Sequence, residues 1–412
     1  VQIPSRAGRP AAGNVRPLVP ALDRRPRERK ESQVEAMAGW PALDGIRVLD
    51  LSRLLPGGFA TVLMADLGAD VVKVESPDGG DYGRLVEPET FAALNRNKRS
   101  LVLDLRDPAG RDTLLRLVER SDAVVESHRP GVLDAMGLGY ARLREANPRV
   151  VLCSITGFGQ HGPYASRPGH DLNFLALSGF FAVPHRPGER VDRVGLRIAD
   201  LAGAMYAALS TAVAVASARV TGHGQHLDVS LHEAAAAWAG PLALPLRTLP
   251  DPADSPLVTG DNDVFTAADG GRIALATFED KFWLTFRTAF AGEFPELDDD
   301  TYDRRAARTR ARGRVRELLT GVFARRDLAW WCAALGGLDL PWAPVYETAD
   351  AFLSDAHVEA RDLVGTLPGS PTEEPRRQVR FPVLFGAGLD SLRGAAPGHG
   401  EHTAEILAEL DR

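Results

Sequence analysis

Between residues 46 and 155 short apolar runs alternate with helix-like segments, and that alternation leaves few folds open. Ile46-Arg47-Val48-Leu49-Asp50-Leu51 reads as a strand, Pro56-Gly57-Gly58 as a turn, and Ala60 to Leu67 as an apolar helix stopped by Gly68. Val71-Val72-Lys73-Val74-Glu75 then reads as a second strand. Strand, helix, strand within about 30 residues is a βαβ unit. Ser100 to Leu105, Ala123 to Glu126 and Val150 to Ile155 supply three more strands, with helices over Arg111 to Arg120 and near Leu143. The spacing predicts an α/β fold built on a doubly wound, Rossmann-like parallel sheet, with ligands at the carboxyl ends of its strands.

A chain of 412 residues is too long for one small core, so further domains are expected. Residues 1–38 carry Pro and Arg, including Arg24-Arg25-Pro26-Arg27-Glu28-Arg29-Lys30, with few large apolar residues, and read as a disordered leader. Residues 39–225 read as the large domain. Residues 226–259 read as a linker helix followed by a Pro-rich crossing at Pro241 to Pro256. Residues 260–350 mix strands, such as Arg272-Ile273-Ala274-Leu275-Ala276, with helices and read as a smaller α+β domain. Residues 351–412 return to the large domain through a strand near Phe381-Pro382-Val383 and a final helix at Thr403 to Leu410. The Ala-rich stretch Leu201 to Val220 contains Ser and Thr and reads as a buried helix rather than a membrane span.

A net charge of -7 and a pI near 5.9 argue against nucleic acid as the main partner. Cys153 and Cys332 stand far apart in apolar surroundings, which points to a reducing cytoplasm. No metal-ligand spacing, G-x-G-x-x-G or Walker sequence occurs. Cations nevertheless cluster near strand ends: Lys73, Asn97-Lys98-Arg99 and Arg129 form either a phosphate pocket or a solvated surface. Trp330-Trp331, in an Ala- and Leu-rich segment, reads as core packing.

The most telling side chains are His170, in Pro168-Gly169-His170-Asp171-Leu172-Asn173-Phe174, and Asp200, in Arg197-Ile198-Ala199-Asp200-Leu201-Ala202-Gly203. A histidine and a carboxylate converging from two segments can serve as opposed acid and base on one carbon. Gly169-His170-Asp171 reads as a helix start, so the backbone N–H of Asp171 is a candidate oxyanion donor and its side chain a cap.

Several ordered motifs carry a resemblance. Leu49-Asp50-Leu51-Ser52 with Pro56-Gly57, Leu67-Gly68-Ala69-Asp70-Val71-Val72-Lys73-Val74-Glu75, Asn95-Arg96-Asn97-Lys98-Arg99-Ser100, Thr156-Gly157-Phe158-Gly159-Gln160-His161-Gly162-Pro163, Gly222-His223-Gly224-Gln225 and Pro397-Gly398-His399-Gly400-Glu401-His402-Thr403 resemble the family III CoA-transferase superfamily. The likeness runs from about residue 43 to 410, and the superfamily includes the α-methylacyl-CoA racemases.

That resemblance implies an acyl-CoA substrate, with coenzyme A entering as part of the substrate and no permanently bound cofactor. It also implies an interlocked homodimer and no nucleic acid or membrane partner. Lys73, Asn97, Lys98, Arg99 and Arg129 become the expected CoA-binding residues. Asp200 matches the aspartate that is the nucleophile of the transferases and one of two proton-transfer bases in the racemases. His170 is the residue that favours the racemase form, since family transferases more often carry another residue there. Glu279, in Thr277-Phe278-Glu279-Asp280-Lys281-Phe282-Trp283, matches a glutamate that orients the histidine, in the interlocked dimer across subunits; alternatively it caps a helix. Leu196 and Leu201-Ala202-Gly203-Ala204 depart from the racemase pattern, as does Gly260-Asp261-Asn262-Asp263-Val264-Phe265-Thr266. The expected function is racemisation of a 2-methylacyl-CoA by His170 and Asp200 through an enolate; the alternative is CoA transfer between carboxylic acids through an aspartyl-CoA on Asp200.

Overall fold

The computed structural model describes residues 42–184, 193–251, 255–256, 258–368, 376–386 and 388–412. The expected leader lies outside the described residues. Contacts divide the described residues into two compact units, residues 256–362 and the rest of those described.

The larger unit is organised by one six-stranded sheet. Its elements are β1 (Arg47–Asp50), α1 (Leu54–Asp66), β2 (Asp70–Glu75), β3 (Arg99–Val102), α2 (Pro108–Val118), β4 (Ala123–Glu126), α3 (Tyr140–Ala146), β5 (Val151–Thr156), α4 (Asp171–Leu177), α5 (Ile198–Thr221), β6 (His226–Ser230) and α6 (Leu231–Ala243). The strand order is β3-β2-β1-β4-β5-β6, and every pair is parallel. Strand order reverses between β1 and β4, which opens a crevice beyond their carboxyl ends.

The apolar runs follow from burial on both sheet faces. Successive strand residues point to opposite faces. Val48, Val71, Ala123 and Cys153 accordingly join a core with α1, α5 and α6, while Leu49, Val72, Val124 and Leu152 join one with α2 and α3. Helix α5, 24 residues long, is apolar enough to cross a membrane by length and composition. Its buried residues Ala199, Ala204, Ala207, Ala214 and Ala218 instead pack within the first of these cores, as the Ala-rich composition predicts.

Charges are built into the sheet as well. Asp50 Oδ2 lies 3.0 Å from Lys98 Nζ and 3.9 Å from Lys73 Nζ, and Lys73 Nζ lies 3.0 Å from Asp81, with all four side chains buried. Burial would raise the Asp50 carboxyl, but Lys73 and Lys98 outweigh it and hold it well below the usual carboxylate range. The β3 edge is closed by the C-terminal helix α10 (Thr403–Leu410), whose Glu405 and Glu409 pair with Arg99.

Several boundaries differ from the sequence reading. Pro56-Gly57-Gly58 lies in the first turn of α1, where an absent proline N–H costs nothing because those donors have no helical partner. Strand β6 and helix α6 belong to the large unit rather than to a linker. Residues 351–362, expected to return to the large domain, group with the smaller unit. The late strand is not at Phe381-Pro382-Val383. Strand β10 (Val364–Thr366) pairs antiparallel with β11 (Arg377–Val379), where no proline removes a ladder donor.

In the smaller unit β7 (Asn262–Thr266), β8 (Arg272–Ala276) and β9 (Trp342–Pro344) form an antiparallel sheet. Helices α7 (Asp280–Phe290), α8 (Arg312–Phe323) and α9 (Leu328–Leu335) enclose an aromatic core. Trp331 is fully buried, donates from Nε1 to the Phe323 carbonyl at 3.0 Å and meets Trp330 edge-on at 4.9 Å, so the paired tryptophans are core.

Candidate active site

Asp200 lies in the first turn of α5, and His170 is the residue that precedes α4. The two helix starts are tied together: the main-chain N–H of Asp200 donates to Asp171 Oδ1 at 3.1 Å. Asp171 thus caps the neighbouring helix, whereas the cap position of its own helix is held by His170. His170 donates its N–H to Asn173 Oδ1 at 3.0 Å, and its imidazole is exposed. Phe174 fixes this corner from below. A Cβ on Gly157 would fall 2.3 Å, and one on Gly169 2.6 Å, from the Phe174 ring, so the ring holds two loops together only because both residues lack side chains.

The Asp200 carboxyl is pushed up to about 7, first by burial and then by the neighbouring Asp171 charge, with Arg197 pulling the other way. Among the described residues no side chain hydrogen-bonds its oxygens. A carboxyl raised in this way is a candidate for acid–base or nucleophilic chemistry.

The expected phosphate cations are placed differently. Lys73 and Lys98 are the buried partners of Asp50, and Lys98 also donates to Gly58 O, Thr61 Oγ1 and Asn95 Oδ1. Arg99 binds Asp70 as well as α10. Asn97 takes a left-handed φ of 62°. Its amide donates to Asp66 and Ser391 O and accepts from the N–H groups of Arg393 and Gly394, which clamps the C-terminal segment. These four residues serve as struts: carboxylates neutralise Lys73, Lys98 and Arg99, and the amide of Asn97 is taken up by hydrogen bonds. Arg129 is exposed and lines a separate cavity of about 330 Å³ with Tyr140, His161 and His226.

The crevice at the strand ends is instead a cavity of about 360 Å³, lined by Ser52, Arg53, Ser76, Arg106, His128 and Met136 among others. Arg53 and Arg106 are exposed cations that the sequence reading missed. Arg106 follows directly on a predicted strand and Arg53 stands two residues beyond another, which is the signal that would have found them. Glu279 belongs to the smaller unit and is exposed; it is the residue before α7, with its main-chain carbonyl accepting from Phe282 and Trp283. The remaining unforeseen group is Arg197, three residues ahead of Asp200, whose Nη1 lies 3.2 Å from Glu87 Oε2.

A doubly wound sheet with a crevice at its switch point, and an aspartate at a helix start whose carboxyl is raised by burial, are features of α/β enzymes. Residues 43–403 match CoA-transferase family III, and the chain belongs to that family. It is 32% identical over 395 residues to the succinate–glutarate CoA-transferase of Agrobacterium fabrum, covering 90% of this chain and 96% of that one. It is 31% identical to the human alpha-methylacyl-CoA racemase, covering 90% and 93%. A crystal structure of a CAIB/BAIF family protein from Brucella suis superimposes with a TM-score of 0.78 at 29% identity, covering 89% and 99%. The chain is an enzyme of the family III CoA-transferase and racemase group.

Proposed function

We propose that this enzyme moves CoA between carboxylic acids with Asp200 as nucleophile. The observation that carries the reading is the desolvated Asp200 carboxylate, held at a helix start with no described side chain bonded to it. Transferase names also predominate over the racemase among its strong curated matches, which reverses the order expected from His170.

The chemistry balances without any proton. An Asp200 oxygen attacks the thioester carbonyl, the C–S bond breaks, and CoA leaves as thiolate from a mixed anhydride. The thiolate then attacks the Asp200 carbonyl carbon and releases the donor acid as carboxylate, leaving an aspartyl-CoA thioester. An acceptor carboxylate repeats both steps in reverse. We assign the phosphates of CoA to the strand-end cavity, with Arg53 as the cation that meets them and Arg106 as a second once a phosphate replaces its exposed partners Asp78 and Asp104. The exposed apolar residues Met205, Leu209, Val213, Trp238, Leu242 and Leu244 are the surface proposed to meet a second copy of the chain.

The test is incubation with succinyl-CoA and hydroxylamine, followed by mass spectrometry of the peptide holding Asp200. A hydroxamate there supports the reading, and its absence alongside deuterium uptake at the α-carbon of a 2-methylacyl-CoA sinks it. Racemisation is the second reading because His170 directly precedes the residue that binds Asp200. For CoA transfer, His170→Ala is expected to lower kcat by less than about 10-fold, since no proton is moved; a loss approaching the ~10²–10⁴ of a missing general acid or base returns the assignment to the racemase.

The rate should also report the Asp200 carboxyl. Only its ionised form attacks, so kcat/KM is expected to rise with pH along a limb centred at about 7. A limb near 4, measured with a pH-independent thioester, contradicts the desolvated state.

A further inference from the structure

We propose that residues 397–400 shape the strand-end cavity, with Arg84 and His399 as positioning residues that hold one wall of it ready for CoA. Neither residue lines the cavity. The inference rests on the assignment of the CoA phosphates to that cavity and adds the groups that act on binding through its wall.

The wall in question is the end of β2 and the turn after it, where Glu75, Ser76, Asp78, Gly80 and Asp81 line the cavity. Local structure specifies this turn poorly. Gly79 and Gly80 take left-handed φ values of 86° and 75°, and glycine has many alternatives to such a conformation. Contacts distant in sequence fix the turn instead. Arg84 binds the Glu75 carboxylate through Nε and Nη2, at 2.8 and 2.7 Å, and donates from Nη1 to the Pro397 carbonyl at 3.1 Å. His399 donates from Nε2 to the Ser76 carbonyl at 2.9 Å. A Cβ on Gly80 would fall 2.6 Å from Glu75 Oε1 and 2.9 Å from the His399 ring, so the turn is gripped between the two. Ser100 Oγ completes the frame: it donates to Glu75 Oε2 at 2.7 Å and accepts from the N–H of Gly400 at 2.9 Å. Glu75 also accepts from the N–H of Asp81 at 3.0 Å, so one carboxylate gathers the strand end, the turn and residues 397–400.

Charge gives the frame a second role. Burial would raise the Glu75 carboxyl, but Arg84, Ser100 and the Asp81 N–H outweigh it and hold it at about 2. The wall therefore carries a permanent negative charge beside a site for phosphates, and Arg84 is the cation bound to it. Loss of Arg84 would turn that charge on the incoming phosphates and free the turn, which binding would then have to order. Loss of His399 would free the turn alone.

The experiment titrates CoA calorimetrically into the full chain and its Arg53→Gln, Arg84→Met, Arg84→Lys and His399→Ala variants. Arg84→Met should raise the Kd of CoA by about 10-fold or more, the scale of one lost charged hydrogen bond, and His399→Ala by about 3–10-fold, the scale of a neutral one. Arg84→Lys should recover part of the loss, since an ammonium restores the charge but not the fork. A role in folding alone would lower the number of sites per chain and leave the Kd of the folded fraction native. A native Kd in whichever of Arg84→Met and His399→Ala folds overturns the proposal. His399 is exposed, so its variant decides the matter if Arg84→Met, which strips buried Glu75 of its cation, does not fold. Weaker binding in Arg53→Gln beside native binding in the other variants strikes only this proposal. Native binding in all four removes CoA from the strand-end cavity as well.

Discussion

Asp200→Asn is expected to reduce CoA transfer by about 10⁴-fold or more, the scale on which removal of a covalent nucleophile acts. The amide is nearly the same size as the carboxylate, but its nitrogen lone pair is delocalised and its oxygen carries no charge to form the anhydride. The anchor to Asp171 uses the main-chain N–H of residue 200, so the helix start survives the change. CoA affinity, measured by binding to the variant, should remain within about threefold because the proposed phosphate ligands lie at the strand-end cavity, which Asp200 does not line. The same variant carries an opposite effect on stability. The native Asp200 carboxyl sits at about 7 against an ordinary value of 3.8, so between these limits the folded state binds more protons than the unfolded one. Stability is then lost as pH rises through about 4 to 7, and the loss is complete above that window. Asparagine cannot ionise, so the variant's Tm should exceed the native value by about 2 °C or more at pH 8 and converge with it near pH 4. Retained transfer ends the nucleophile assignment; equal Tm values at both pH values end the titration argument.

The sheet was legible because its strands are covered on both faces. Val48-Leu49, Val71-Val72 and Ala123 to Val125 had to be apolar at consecutive positions, and helices between them had to cross over. Polar strands gave no such signal. Arg377-Gln378-Val379 forms β11 through backbone ladder bonds to β10, whereas the apolar Phe381-Pro382-Val383 does not. The helix start at Asp171 was readable from Gly169-His170-Asp171, and the helix that carries Asp200 from its Ala-rich run. Their connection was not, because it joins positions 29 residues apart. Charge was the least readable quantity. Lys98 looks like a phosphate ligand until its partner Asp50, 48 residues away, is seen beside it. Arg197 carried no signal of its pairing with Glu87, 110 residues away.

Lys98→Met is expected to destabilise the larger unit by about 3–5 kcal/mol, the cost of leaving one member of a buried ion pair without its counter-charge. Methionine matches the length and apolar stem of lysine, so the change tests charge rather than volume. Asp50 would keep Ser52 and Thr61 as donors but would retain only the more distant Lys73 at 3.9 Å as a counter-ion. Gly58 O, Thr61 Oγ1 and Asn95 Oδ1 would each lose the ammonium they now face. Burial already pushes the Lys98 ammonium down to about 8 against the pull of Asp50, so it is charged at pH 7 only because the carboxylate is there. The urea midpoint of the larger unit's transition should therefore fall sharply in Lys98→Met. The pair Asp50→Leu/Lys98→Met should fall by less than the sum of the single changes, since removing both charges leaves neither unpaired. A phosphate-binding Lys98 predicts the reverse pattern: an unchanged urea midpoint, a raised KM for acyl-CoA and a weaker dependence of KM on salt.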